Sequence, residues 1–391
     1  MDQQLLDFIP KLQCPLTRSD LRVLEKPSLN RLYEKIKHGT LHHADGSPVK
    51  EPFSDALVSE AHQLVYPVID GQIAVLMENM AILPEDLDQL PAKQQHFDRE
   101  KQLVRDFYED YGWHKADDSK YRDTADFEDH RPVAANYWSR CHLRVNRYLR
   151  SGKYILDVAS GTIPNDEYFT YSQNYELRIC MDFSLLALKE AAVRLQGKGI
   201  FIMGDMANLP VKSNCLHAVV SLHTVYHVPQ KEQTLAVKES QRVLKAGGVS
   251  VIVYSWRNSP LMRFIMGKWR SFIRRLNRAR GKPGKRKNKE GIPELHVCHQ
   301  NYDWYERELG PDLKARLSVY SSISRSFSYT FIRKKFFGKQ LASLIYWLEN
   351  RMPETLGRYG QYPLFILEKQ AETNKATEDD PQQKSTEPNT F

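Results

Sequence analysis

From Tyr154 onward, runs of consecutive apolar residues alternate with stretches of helical period, and this alternation limits the folds open to the chain. The runs "YILDVA", "LRICMDF", "GIFIMGD", "HAVVSLHTV" and "VSVIVYSW" read as strands, with "SLLALKEAAVRL" and "KEQTLAVKESQRVL" as amphipathic helices among them. Strands apolar on both sides need cover on both faces, and helices that carry the chain back between them make neighbours parallel. The expected fold is therefore α/β, a doubly wound, mainly parallel sheet over residues 153–370. "DLKARLSVYSSIS", "KQLASLIYWLEN" and "YPLFILEK" should add a strand, a helix and a last strand.

Upstream, residues 1–84 hold short β-like runs bounded by Pro, Gly and Asp, such as "LVYPVIDGQIAVLM", and predict a small β-rich α+β domain. Residues 85–152 are polar and helical in pattern, a linker with the first helices of the larger domain. Residues 371–391 are polar and net acidic and are expected to be disordered.

The formal charge of +8 is uneven: +11 falls between Leu261 and Glu290, leaving −3 for the rest, so most of the surface does not suit a general polyanion binder. Leu261, Phe264, Ile265, Trp269, Phe272, Ile273 and Leu276 share a helical stripe there, followed by a cationic tail within the insertion 257–298. Three readings stay open for this segment: a lid over the acceptor pocket, a contact with an anionic membrane surface, or a contact with RNA. The five cysteines, Cys14, Cys141, Cys180, Cys215 and Cys298, form no C-x-x-C pair and suit a reducing cytoplasm. Neither a signal peptide nor a membrane-spanning run is expected, so the protein is placed in the cytoplasm or at the inner face of the membrane.

The turn after the first strand, "DVASGTIPND", carries one glycine where a dinucleotide site usually needs several to approach a pyrophosphate. A cofactor without phosphate relaxes that demand. S-adenosylmethionine is such a cofactor, needing close backbone approach, acceptors for its ammonium and a carboxylate for its ribose. Asp157, Asp182 and Asp205 end three consecutive strands and supply such acceptors.

In this order, "ILDVASGT", "CMDFSLLALKEA", "GDMANLP", "VVSLHTVYHV" and "RVLKAGG" resemble the motifs of class I S-adenosylmethionine-dependent methyltransferases over residues 153–256. The resemblance implies a Rossmann-like sheet with an antiparallel last strand. It also implies that Ala159, Ser160 and Gly161 contact the methionine part, Asp182 with Phe183 beside it the ribose, and Asp205 with Met206 the adenine, while Ser221 lines the pocket. Ala159 stands where the family usually has glycine, and Thr162-Ile163-Pro164 replaces its second glycine. Methyl transfer needs alignment and a base for the acceptor's proton; His223 and His227, just past the fourth strand, are the candidates, since histidine ordinarily titrates near neutrality.

"CPLTRSDL" and "YPVIDGQIAVL", within residues 12–81, are similar to short bacterial relatives of the small activator subunit of tRNA, rRNA and release-factor methyltransferases. That likeness implies a partner fused in cis and docked on the catalytic domain. Zinc-binding members carry four cysteines there and this chain has only Cys14, so no zinc is expected. The function expected is methyl transfer to an oxygen or nitrogen of a small-molecule or lipid-linked glycan acceptor. The alternatives are an RNA (tRNA) methyltransferase and a non-catalytic scaffold that kept the fold.

Overall fold

The computed structural model describes residues 1–49, 53–83, 98–117, 120–280 and 292–370. The tail 371–391 and the charge-rich stretch 281–291 lie outside the described residues. Among the described residues, eleven strands form one sheet: β1 Leu21–Val23, β2 Asp55–Ser59, β3 Val65–Ile69, β4 Ile73–Leu76, β5 Gly152–Val158, β6 Tyr175–Asp182, β7 Ile200–Gly204, β8 Leu216–Leu222, β9 Leu244–Val253, β10 Arg316–Ser321 and β11 Tyr362–Glu368. The spatial order is β1-β2-β3-β4-β7-β6-β5-β8-β9-β11-β10. Every pair from β4 through β9 in that order is parallel, and β11 runs antiparallel to both β9 and β10.

Alternation of side chains along these strands divides the apolar residues between two faces. Leu156, Ile179, Ile202, Val219 and Ile252 enter one core; their neighbours Ile155, Cys180, Phe201, Val220 and Val251 enter the other. The longer helices are α1 Lys26–Lys37, α2 Arg99–Phe107, α3 Ala135–Leu143, α4 Leu185–Arg194, α5 Gln233–Arg242, α6 Pro260–Ala279 and α7 Gly338–Arg351. Ala236 and Val237 of α5 cover the first face, whereas α3, α4, α6 and α7 cover the second through Tyr137, Leu188, Met262 and Tyr346 among others. That double cover is why the central strands read as unbroken apolar runs.

The N-terminal strands extend this sheet instead of closing a sheet of their own. β1 to β4 form an antiparallel meander, and Asp70 and Gly71, both at positive φ, make the tight turn between β3 and β4. β4 then lies parallel to β7, with Ile73 opposite Phe201 and Leu76 opposite Gly204. All four residues of β4 are buried, so it supplies the hydrogen bonds that β7 would otherwise lack while its side chains join both cores. The meander keeps a satellite core against α1, built on Leu29, Leu41, Phe53 and Val58. Cys14 is buried with its sulfur 3.1 Å from the Tyr66 hydroxyl.

After Gly161 the chain forms 3₁₀ turns over Asp166–Ser172. Ile163 takes a left-handed backbone (φ 56°) ahead of Pro164, which no α-helix continues through, and Tyr168 and Tyr171 stack into the core from the turns.

Candidate active site

The carboxyl ends of β5 to β8 open into a cavity of about 710 Å³. Val158 and Ala159, Asp182 and Phe183, Met206, and Leu222 with His223 bring the strand ends to its wall. Tyr108 and Trp113, from the turn after α2, close one side, with their rings stacked 5.2 Å apart. Trp138 and His142 of α3, Tyr320 of β10 and Tyr362 of β11 close another.

The turn after β5 is held by the end of β6. Asp182 accepts the Gly161 N–H at 2.8 Å and the Ser184 N–H at 2.9 Å, and burial pushes its carboxyl up to about 6. Gly161 has φ 54°, and a Cβ there would collide with the Trp113 ring, so glycine is required both by the backbone and by the ring packed on it. Ala159 shares that left-handed conformation without being glycine. Glu109 reaches from the turn after α2 to the start of α4, accepting the Leu185 N–H at 2.5 Å and the Leu186 N–H at 3.3 Å. A carboxylate at a helix N-terminus is stabilising, and this one fastens the Tyr108–Trp113 wall to the sheet.

Residues 156–252, from β5 into β9, match the family model described as a methyltransferase domain. Those residues are a methyltransferase domain. Similar solved structures include the complex between the Haloferax volcanii Trm112 methyltransferase activator and a putative methyltransferase (12% identity, 61% of this chain and 92% of that one, TM-score 0.38). A second is a putative methyltransferase from Bacillus halodurans (16%, 61% and 99%, TM-score 0.35). A third is the geranyl diphosphate C-methyltransferase of Streptomyces coelicolor (13%, 70% and 100%, TM-score 0.41). No curated protein matches the chain.

The methyltransferase cofactor fits this wall. Asp182 lines the cavity, where a carboxylate is the kind of acceptor that ribose hydroxyls need, and Ala159 beside it has a small side chain. Glu128 and Glu167 place carboxylates in the lining, suited to a sulfonium cation. Ser160 and Gly161 form the turn itself, the Ser160 N–H bonding to Met181 O at 3.1 Å. Ser221 is buried in β8, and its Oγ has no hydrogen-bond partner among the described residues.

Two aspartates are engaged elsewhere. Asp157 is ion-paired with the buried guanidinium of Arg178, which also donates to Tyr168 O at 2.8 Å, and it does not reach the cavity wall. A carboxylate inside a parallel sheet needs a counter-charge, and β6 supplies one beside it. Asp205 is ion-paired with Lys101 and accepts the Ala207 N–H at 2.8 Å, while Lys101 also meets Glu232 at 2.6 Å. Asp205 is thus tied to α2, and Met206 alone of that pair lines the cavity.

His223 and His227 both line the cavity, but neither titrates near neutrality. Burial depresses His223 to about 3 and His227 to about 4. The His223 ring stands edge-on to Tyr320 and Tyr362. His227 Nδ1 lies 2.9 Å from the His296 carbonyl, which can only accept, so Nδ1 carries the proton and Nε2 is left as an acceptor.

One titratable group shifted toward neutral pH is not singled out by the sequence pattern. Asp123, in the helical turn Arg122–Phe127, lines the cavity with its carboxyl pushed up to about 7 by burial and, secondarily, by Glu128, Asp126 and Asp182. Its only sequence signal is the acidic cluster "RDTADFED", which equally describes a solvated helix.

Proposed function

We propose that this chain moves a methyl group from S-adenosylmethionine to a hydroxyl or amine of a small-molecule or lipid-linked acceptor held in the cavity, with Asp123 taking the acceptor's proton. The cofactor supplies a methyl group already activated on a sulfonium. The protein's part is to align the acceptor, exclude water and hold a proton.

Asp182 would hold the ribose and the Ala159–Gly161 turn the methionine part, while Met206 packs on the adenine. Asp123 combines a place on the cavity wall with an affinity for protons matched to neutral pH, which is the observation that carries this reading. His223 and the Nε2 of His227 stay neutral there and would orient the acceptor by accepting hydrogen bonds. A tRNA acceptor is the second reading, favoured by the cationic helix α6.

Calorimetry with S-adenosylmethionine tests the cofactor site. Asp182→Asn keeps one carbonyl acceptor and should weaken binding roughly tenfold to a hundredfold, the worth of a charged hydrogen bond. Equal affinity would refute the ribose assignment. Labelled methyl supplied with a cell extract should enter the small-molecule or lipid fraction; label confined to RNA would favour the second reading.

A further inference from the structure

Two segments distant in sequence form a joint cationic and aromatic surface beside the cavity. Residues 260–280 carry seven Lys/Arg and no carboxylate, and residues 325–348 carry five and none. The segments meet where Trp269 of α6 packs edge-on against Phe331 at 5.1 Å. Among the described residues, none of the α6 cations, nor Arg333, Lys334, Lys335 or Lys339, has an ion-pair partner.

The apolar residues of α6 divide between two environments. Met262 and Met266 are buried and Leu261 and Ile265 pack on the core, which fixes the helix to the body. Phe264 and Phe272 are 60% and 56% exposed, two helical turns apart, and the Lys268 ammonium sits over the Phe264 ring at 4.2 Å. Phe337, at the start of α7, is 76% exposed in a left-handed backbone that a bulky side chain rarely adopts. Phe272 meets the Trp269 ring at 5.8 Å, yet more than half of each of these three side chains stays open to solvent.

We propose that this surface seats the protein on an anionic lipid bilayer, with Phe264, Phe272 and Phe337 entering the boundary between headgroups and acyl chains and the surrounding Lys and Arg on lipid phosphates. A bilayer is favoured over RNA because it accounts for the exposed phenyl rings as well as the charge, and because the chain outside these two segments carries a net charge of −4, which does not suit a broad polynucleotide footprint. The surface adjoins the cavity: Ser324 donates its N–H to the Met262 sulfur at 3.4 Å, and Ser324 and Arg325 line the cavity wall. A lipid-linked acceptor could enter from the bilayer there, a consequence that rests on the proposed function, whereas the seating itself does not.

The test is flotation of the full chain with vesicles of equal phosphatidylglycerol and phosphatidylcholine, against phosphatidylcholine alone, without cofactor or acceptor. Binding is expected to the anionic vesicles only and should fall as salt is raised. The triple substitution Phe264→Ser, Phe272→Ser, Phe337→Ser removes exposed rings only, so its melting temperature should hold while vesicle binding falls roughly tenfold or more. Absence of binding to the anionic vesicles would overturn the proposal. So would undiminished binding by the triple variant, above all if tRNA competed it away, since a polyanion site would then suffice. Because no methyl transfer is read, failure here is distinct from failure of the transferase reading.

Discussion

Replacing Asp123 by asparagine should stabilise the protein, and by an amount that depends on pH in a prescribed way. The carboxyl is pushed up to about 7 in the folded chain, against an unfolded value near 4. Its contribution to stability is therefore complete below about pH 4, declines as pH rises, and is lost once pH passes about 7. Three pH units correspond to about 4 kcal/mol, and water reaching the cavity reduces this to about 2 kcal/mol. Asparagine does not ionise. The variant should match the parent near pH 4 and melt a few degrees higher at about pH 8, with the gain growing between. Thermal scans at about pH 4.5, 6 and 8 measure this, and calorimetry should find cofactor affinity unchanged while methyl transfer falls. A gain that is the same at all three pH values, or a loss at pH 8, would refute the buried, proton-holding carboxyl and with it the role proposed for Asp123.

Gly161→Ala should displace the Trp113 ring and hold an alanine at positive φ, costing about 1–2 kcal/mol and weakening cofactor binding; tryptophan emission and calorimetry report both, and an unchanged spectrum would contradict the packing described. Arg178→Met should destabilise the fold by about 3–5 kcal/mol in denaturant titrations, because it strands the Asp157 carboxylate inside the sheet. A near-neutral result would mean that water reaches Asp157.

The strands and helices of the methyltransferase domain were legible because the parallel strands are covered on both faces, which writes each as a continuous apolar run. The same mark was present in "IAVL", whose four buried residues report cover on both sides, yet only the fold shows that β7 is its neighbour. The strand-end aspartates illustrate the limit more sharply. Asp157, Asp182 and Asp205 look alike in sequence, and what separates them is the presence of Arg178 and Lys101, one on the adjacent strand and the other 104 residues away. Asp123 and the two histidines were assigned or overlooked on their ordinary titration. Their affinity for protons is instead set by burial among residues from several segments, which no local pattern encodes.

The pairing of β4 with β7 has a consequence for how the chain could be divided. A fragment starting at residue 98 would bare the backbone of Ile200–Gly204 along its full length, together with Phe201 and Met203, and such a strand invites self-association with a second copy. The meander thus doubles as a guard on solubility, and the transferase half is best produced with it attached.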